Sequence, residues 1–73
     1  GEGCETTLKM RRTCAEALYK DPAATLDDLR EAVTTLVDIE RTARRVLGGA
    51  HPLVGQVERA LRQARAALRT RDA

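Results

Sequence analysis

The sequence predicts an all-α fold of three antiparallel helices, a helical hairpin followed by a capping helix. Three observations carry that expectation. Apolar residues recur at the three-and-four spacing of a helix face in three successive windows, and no strand pattern competes. The connections between the windows are short, so successive helices should be neighbours of opposite direction. The chain has no Trp and no Phe, and Tyr19 is its one aromatic residue. A core of Leu, Val, Ile and Ala suits closely packed helices.

The first helix is expected from about Cys4 to Lys20. Leu8, Arg11, Ala15 and Leu18 follow one helical face, with Cys14 beside them. Arg11 fits this face with its aliphatic stem on the core and its head in water. Asp21-Pro22 ends the helix, because the residue before a proline avoids the α region.

The second helix is expected from Thr25, as its N-cap, through Leu47. Asp28 follows three residues after Thr25, a capping box with Asp in place of Glu. Asp27, Asp28 and Glu31 near the start, and Arg41, Arg44 and Arg45 near the end, complement the helix dipole. Leu26, Leu29, Val33, Leu36, Ile39, Ala43, Val46 and Leu47 form the apolar stripe, and Ala32 adjoins it as a small contact. Val37 lies off the stripe, where it can meet a second neighbour.

The segment Arg44–Val54, RRVLGGAHPLV, is a tight joint between helices. Gly48 and Gly49 can take the left-handed geometry of a C-cap. Pro52 suits a first turn, where its missing N–H would be unpaired anyway. The third helix then runs from Pro52 to about Arg69 or Thr70, with the residues up to Ala73 frayed. Leu53, Val57, Ala60, Leu61, Ala64, Ala67 and Leu68 make its stripe. Gly55 in the first turn costs some helix propensity.

Seventy-three residues make one small domain or a piece of a larger array. A chain this short buries only about 60% of its unfolded surface and is marginal alone. Apolar residues are 42% and charged residues 33% of the chain, the mix of soluble amphipathic helices. No apolar run approaches the roughly 18 residues of a membrane span, and no signal peptide is visible. A cytoplasmic protein with no membrane association is therefore expected.

Net charge is +2, but unevenly spread: residues 1–40 carry −4 and residues 41–73 carry +6. Such runs are ordinarily solvated helix faces. The sharper reading is an acidic partner, or head-to-tail self-association, meeting the basic end. Cys4 and Cys14 share one helix, separated by about 15 Å along its axis. A disulfide needs Cα atoms within about 7 Å, so the two should not pair with each other. Buried, reduced thiols are the default expectation, with an intermolecular disulfide through Cys4 the lesser one.

The joint hints at an internal repeat. Gly1-Glu2-Gly3-Cys4-Glu5-Thr6 precedes the first helix much as Gly48-Gly49-Ala50-His51-Pro52-Leu53 precedes the third. Val46-Leu47-Gly48-Gly49-Ala50-His51-Pro52-Leu53 resembles the VLG-x-x-HP joint of tetratricopeptide repeats of the kinesin-light-chain type. Cys14-Ala15-Glu16-Ala17-Leu18 is similar to the L-A-x-x-L segment of that repeat's first helix, and Glu31-Ala32 to the E-A pair of its second. Cys14 departs from the family's large apolar residue, and Asp21 to Leu29 is longer than its loop. The resemblance covers about residues 3–54, one repeat, with the third helix as the start of a second repeat or as a cap.

That resemblance implies right-handed helical stacking and a non-catalytic protein-interaction module or scaffold, one unit of an array. In such arrays the first helices line a groove that holds peptides or partner proteins. Carried onto this chain, the partner-binding residues would be Lys9, Arg12, Glu16 and Tyr19, with Arg62, Arg65 and Arg69; Glu58 is a further candidate. Gly1 to Gly3 and the abrupt ends read as those of an excised fragment.

No residue cluster points to catalysis, a cofactor or a metal. Cys4, Cys14 and His51 lack the close Cys/His pairs of zinc sites. His51, the sole histidine, reads as a cap of the third helix, and gives a cysteine nucleophile thin support as its base. Asp27-Asp28 could resemble paired acid–base carboxylates, but the helix dipole explains them. Gly48-Gly49 lacks the strand, Lys and Ser/Thr of a phosphate loop. Arg62, Arg65 and Arg69 form a basic stripe, widened by Arg59 and Arg71. Modest charge and the lack of stacking aromatics make nucleic-acid binding the weaker reading of that stripe. A protein or peptide partner, acidic in character, is expected first. A self-associating helical bundle is the structural alternative, since an isolated repeat buries its faces poorly.

Overall fold

A computed structural model describes residues 5–72. It is all-α: α1 spans Glu5–Lys20, α2 Leu26–Leu47 and α3 Pro52–Asp72. Contacts between helices follow the chain's reversals. Arg11 of α1 meets Asp38 of α2, and Arg44 near the end of α2 meets Glu58 near the start of α3. The chain thus runs up, down and up. α2 packs broadly on both other helices, and α1 touches α3 along a narrower seam. Among the described residues no helix is long and apolar enough to cross a membrane.

The helix ends follow local chemistry. Asp21 turns the chain after α1: its carboxylate accepts from Ala23 N–H at 2.9 Å and its carbonyl from Ala24 N–H at 3.0 Å. Thr25 Oγ1 accepts from Asp28 N–H, and Asp28 Oδ2 accepts from Thr25 N–H, both at 3.1 Å. The capping box is therefore complete. α2 closes at Gly48, whose N–H donates to Arg44 O and whose φ is +90°. Gly48 alone takes that conformation; Gly49 does not.

The core is aliphatic. Leu8, Ala15, Leu29, Leu36, Ile39, Leu53, Val57 and Ala64 are buried, as expected. Val54 and Ala24 join them, and neither follows from a single stripe. Burying such side chains contributes roughly 1.5–3 kcal/mol each before the entropy of ordering the chain is subtracted.

α1 departs most from expectation. Its buried face is Leu8, Ala15 and Tyr19; Leu18 and Arg11 are half-buried, and Cys14 is exposed. The expected stripe treated α1 as packing on one partner, whereas it packs on two. Burial rotates toward the α3 side and takes in Tyr19. Arg11 turns its head to Asp38 at 2.9 Å, and this guanidinium holds the Asp38 carboxyl below its ordinary range. Cys4, and the Gly1–Cys4 half of the repeat comparison, lie outside the described residues.

Two further corrections concern α2 and α3. Val46, expected on the α2 stripe, is exposed, while Val37, off that stripe, rests half-buried against the core. The expected fraying from Thr70 does not occur within the described residues, since α3 continues to Asp72. Arg71 explains the added turn. Its Nη1 donates to Ala24 O and its Nη2 to Pro22 O, each at 2.6 Å, so the end of α3 grips the α1–α2 turn.

Candidate functional site

The helix order leaves a polar cleft between α1 and α3. Arg12, Glu16, Tyr19 and Lys20 line it from α1, and Gln56, Arg59, Ala60 and Gln63 from α3; its volume is about 210 Å³. The α1 residues fall on one face by the three-and-four rule, and Gln56 and Gln63 are seven apart on α3. Ala60 between them leaves room in the wall.

Glu16 organises the α1 wall. Its Oε1 accepts from Arg12 Nη1 at 2.6 Å and its Oε2 from Lys20 Nζ at 3.1 Å. Lys20 Nζ lies 6.0 Å above the centre of the Tyr19 ring, a cation–π distance. The Tyr19 hydroxyl donates to Gln63 Oε1 at 2.9 Å and bridges the cleft floor. Burial raises the Tyr19 pKa above its ordinary value, with Glu16 adding to the effect and Lys20 and Arg12 opposing it. Arg12 Nε is buried and has no hydrogen-bond partner among the described residues. The cleft thus presents three cationic heads, Arg12 and Lys20 from α1 and Arg59 from α3, against one carboxylate, with the amides of Gln56 and Gln63 on the α3 side.

The seven expected partner-binding residues do not form one surface. Arg12, Glu16 and Tyr19 meet in the cleft, but Tyr19 is buried as a core residue rather than standing free in a groove. Lys9 pairs with Glu5 at 3.5 Å and lines a separate, apolar depression with Thr6, Met10, Thr13 and Cys14. Arg62 and Arg65 line a third depression, over the α2–α3 seam. Arg69 is exposed and lines none of the three. Gln56, Arg59 and Gln63 complete the cleft and were not anticipated as its members. Their signal was present: positions 56, 59, 60 and 63 share one α3 face at helical spacing.

His51 caps α3 as expected, its Nδ1 accepting from Leu53 N–H at 3.1 Å. Its Nε2 also reaches Glu5 Oε1 at 2.6 Å, tying the first turn of α1 to the start of α3. Among the described residues no group of three His, Cys, Asp or Glu side chains is placed to hold a metal ion.

Comparisons of the chain with family models, with curated proteins and with solved structures find no match.

Proposed function

We propose that the chain is a non-catalytic protein-interaction module that holds an extended, acidic peptide segment in the α1–α3 cleft. The carrying observation is the cleft's donor surplus. Arg12, Lys20 and Arg59 face one carboxylate, and the amides of Gln56 and Gln63 can pair with a peptide backbone. Arg12 Nε, buried and unpartnered, has a hydrogen bond still to give. This reading sits with the tetratricopeptide resemblance, in which a hairpin's first helix and the next helix flank a groove. The exposed thiol of Cys14 suits a reducing compartment such as the cytoplasm.

A peptide array tests the proposal, with acidic, neutral and basic extended peptides of matched length. Acidic members should bind, with amide shifts confined to α1 residues 12–20 and α3 residues 56–63. The double variant Lys20→Glu with Arg59→Glu should abolish that binding while leaving the helices intact. No binding by any acidic peptide, or shifts mapping elsewhere, sinks the reading.

One observation favours a second reading, self-association through the outer face of α1. Thr6, Met10, Thr13, Cys14 and Ala17 are exposed and uncharged there, and Met10 is 65% exposed. Light scattering coupled to size exclusion decides it. A mass equal to one chain at every concentration removes this reading.

A further inference from the structure

The arginines divide by what they touch. Arg11, Arg12, Arg30 and Arg44 each hold a carboxylate, and Arg71 holds two backbone carbonyls. Among the described residues, Arg41, Arg45, Arg62, Arg65 and Arg69 make no hydrogen bond or ion pair, and all five are exposed. Arg59 is equally free but belongs to the cleft. The first group builds the fold. The second makes no bond that the fold depends on among the described residues.

Three of the free group share one side of α3. Arg62, Arg65 and Arg69 stand at i, i+3 and i+7, one face of α3 about 10 Å long. Arg41 and Arg45 stand one turn apart on α2 near Asp38, whose carboxyl they help Arg11 hold low, and are not part of this face. Arg62 and Arg65 line a shallow depression over the α2–α3 seam with Glu40, Arg44, Glu58 and Leu61. Both carboxylates there face Arg44: its Nε lies 3.9 Å from Glu40 Oε1, and its Nη2 is bonded to Glu58. Arg62 and Arg65 therefore line the depression with no carboxylate bonded to either among the described residues.

We propose that this α2–α3 face binds the phosphate backbone of a nucleic-acid duplex without reading its sequence. Three observations select that partner. Every free cation on the face is an arginine, whose planar fork grips phosphate oxygens two at a time. Leu61, the one apolar residue lining the depression, is only 6% exposed and offers a protein partner little to bury a hot spot on; Met10 and Val46, the exposed large apolar residues, lie outside it. Tyr19, the one aromatic, is buried between α1 and α3, so unpaired bases have nothing to stack on. Backbone contact with a duplex is the chemistry that remains.

The test is fluorescence anisotropy of the full chain with random-sequence DNA and RNA duplexes, from about 50 to about 200 mM salt. Poly-glutamate and phosphatidylserine vesicles serve as the other anions at matched charge. Neutralising about three phosphates gives a log–log salt slope of about −3. Arg62→Gln with Arg65→Gln should reduce that slope by about 2, and Arg30→Gln should leave it in place. Circular dichroism confirms that the variants keep their helices. Binding to either duplex with that slope, weakened as described, supports the proposal. Three results overturn it: no duplex binding at the lowest salt, an unchanged slope in the double variant, or equal or tighter binding to poly-glutamate or vesicles. The cleft variant Lys20→Glu with Arg59→Glu separates the two sites, since peptide binding depends on it by a different surface.

Discussion

The Tyr19 hydroxyl donates to Gln63 Oε1 at 2.9 Å and joins the end of α1 to the middle of α3 across 44 residues. The bond closes a seam that aliphatic contacts alone cover narrowly. It also ties down the Gln63 amide through its oxygen, at the wall of the cleft. Tyr19→Phe should cost about 0.5–1.5 kcal/mol, the ordinary worth of a hydrogen bond between uncharged groups. Urea unfolding followed by circular dichroism measures it.

The same residue sets an alkaline limit. Its pKa is raised above the ordinary 10.0, first by burial. The folded chain thus keeps the proton where the unfolded chain has lost it. Stability is unaffected well below pH 10 and falls as pH rises from there through the folded value. Because Tyr19 is the only tyrosine, tyrosinate absorbance reads this group alone. Its midpoint should lie above that of the urea-unfolded chain, and Tyr19→Phe should flatten the alkaline loss of stability. Equal midpoints in the two states would remove the burial account.

Arg71 is expected to hold the last turn of α3. Arg71→Met keeps the aliphatic stem and deletes the bonds to Ala24 O and Pro22 O. The loss should be about 1–2 kcal/mol, discounted from the range for charged hydrogen bonds because the side chain is exposed. Hydrogen exchange should quicken in residues 68–71, with a smaller change around Ala24. Exchange that quickened only in α2 would contradict this role.

These residues also show what was legible in the sequence. Thr25 and Asp28 could be read as a capping box because every participant lies within four residues. Leu36, Ile39 and Val57 could be read as core because helical period alone places them. Tyr19, Gln63 and Arg71 could not, since each finds its partner 44 or more residues away. The cleft failed for the same reason. Its α1 wall was partly anticipated, but which face of α3 meets α1 depends on the rotation of α3 about its axis. Arg62, Arg65 and Arg69 were the conspicuous stripe, and that rotation sets Arg62 and Arg65 over the α2–α3 seam instead.

The capping box gives a local test. Thr25→Ala removes the acceptor of Asp28 N–H and should cost about 1 kcal/mol. Thr25→Ser should restore most of it, because the hydroxyl is the working group. An alanine variant as stable as the parent would mean that α2 is held by packing alone.

His51 couples two roles that substitution can separate. Its Nδ1 accepts from Leu53 N–H, so in the neutral ring the proton sits on Nε2 and points to Glu5 Oε1. One side chain thus caps α3 and ties the first turn of α1 to it. His51→Ala loses both contacts. His51→Asn supplies a good N-cap acceptor but is too short to reach Glu5 as well, so it should recover the capping share, about 1 kcal/mol. The remaining difference between His51→Asn and the parent belongs to Glu5, and Glu5→Gln should shrink it. A double-mutant cycle on His51→Asn and Glu5→Ala measures that coupling directly. If the two substitutions add without interaction, the Glu5 contact contributes nothing and His51 is a cap only.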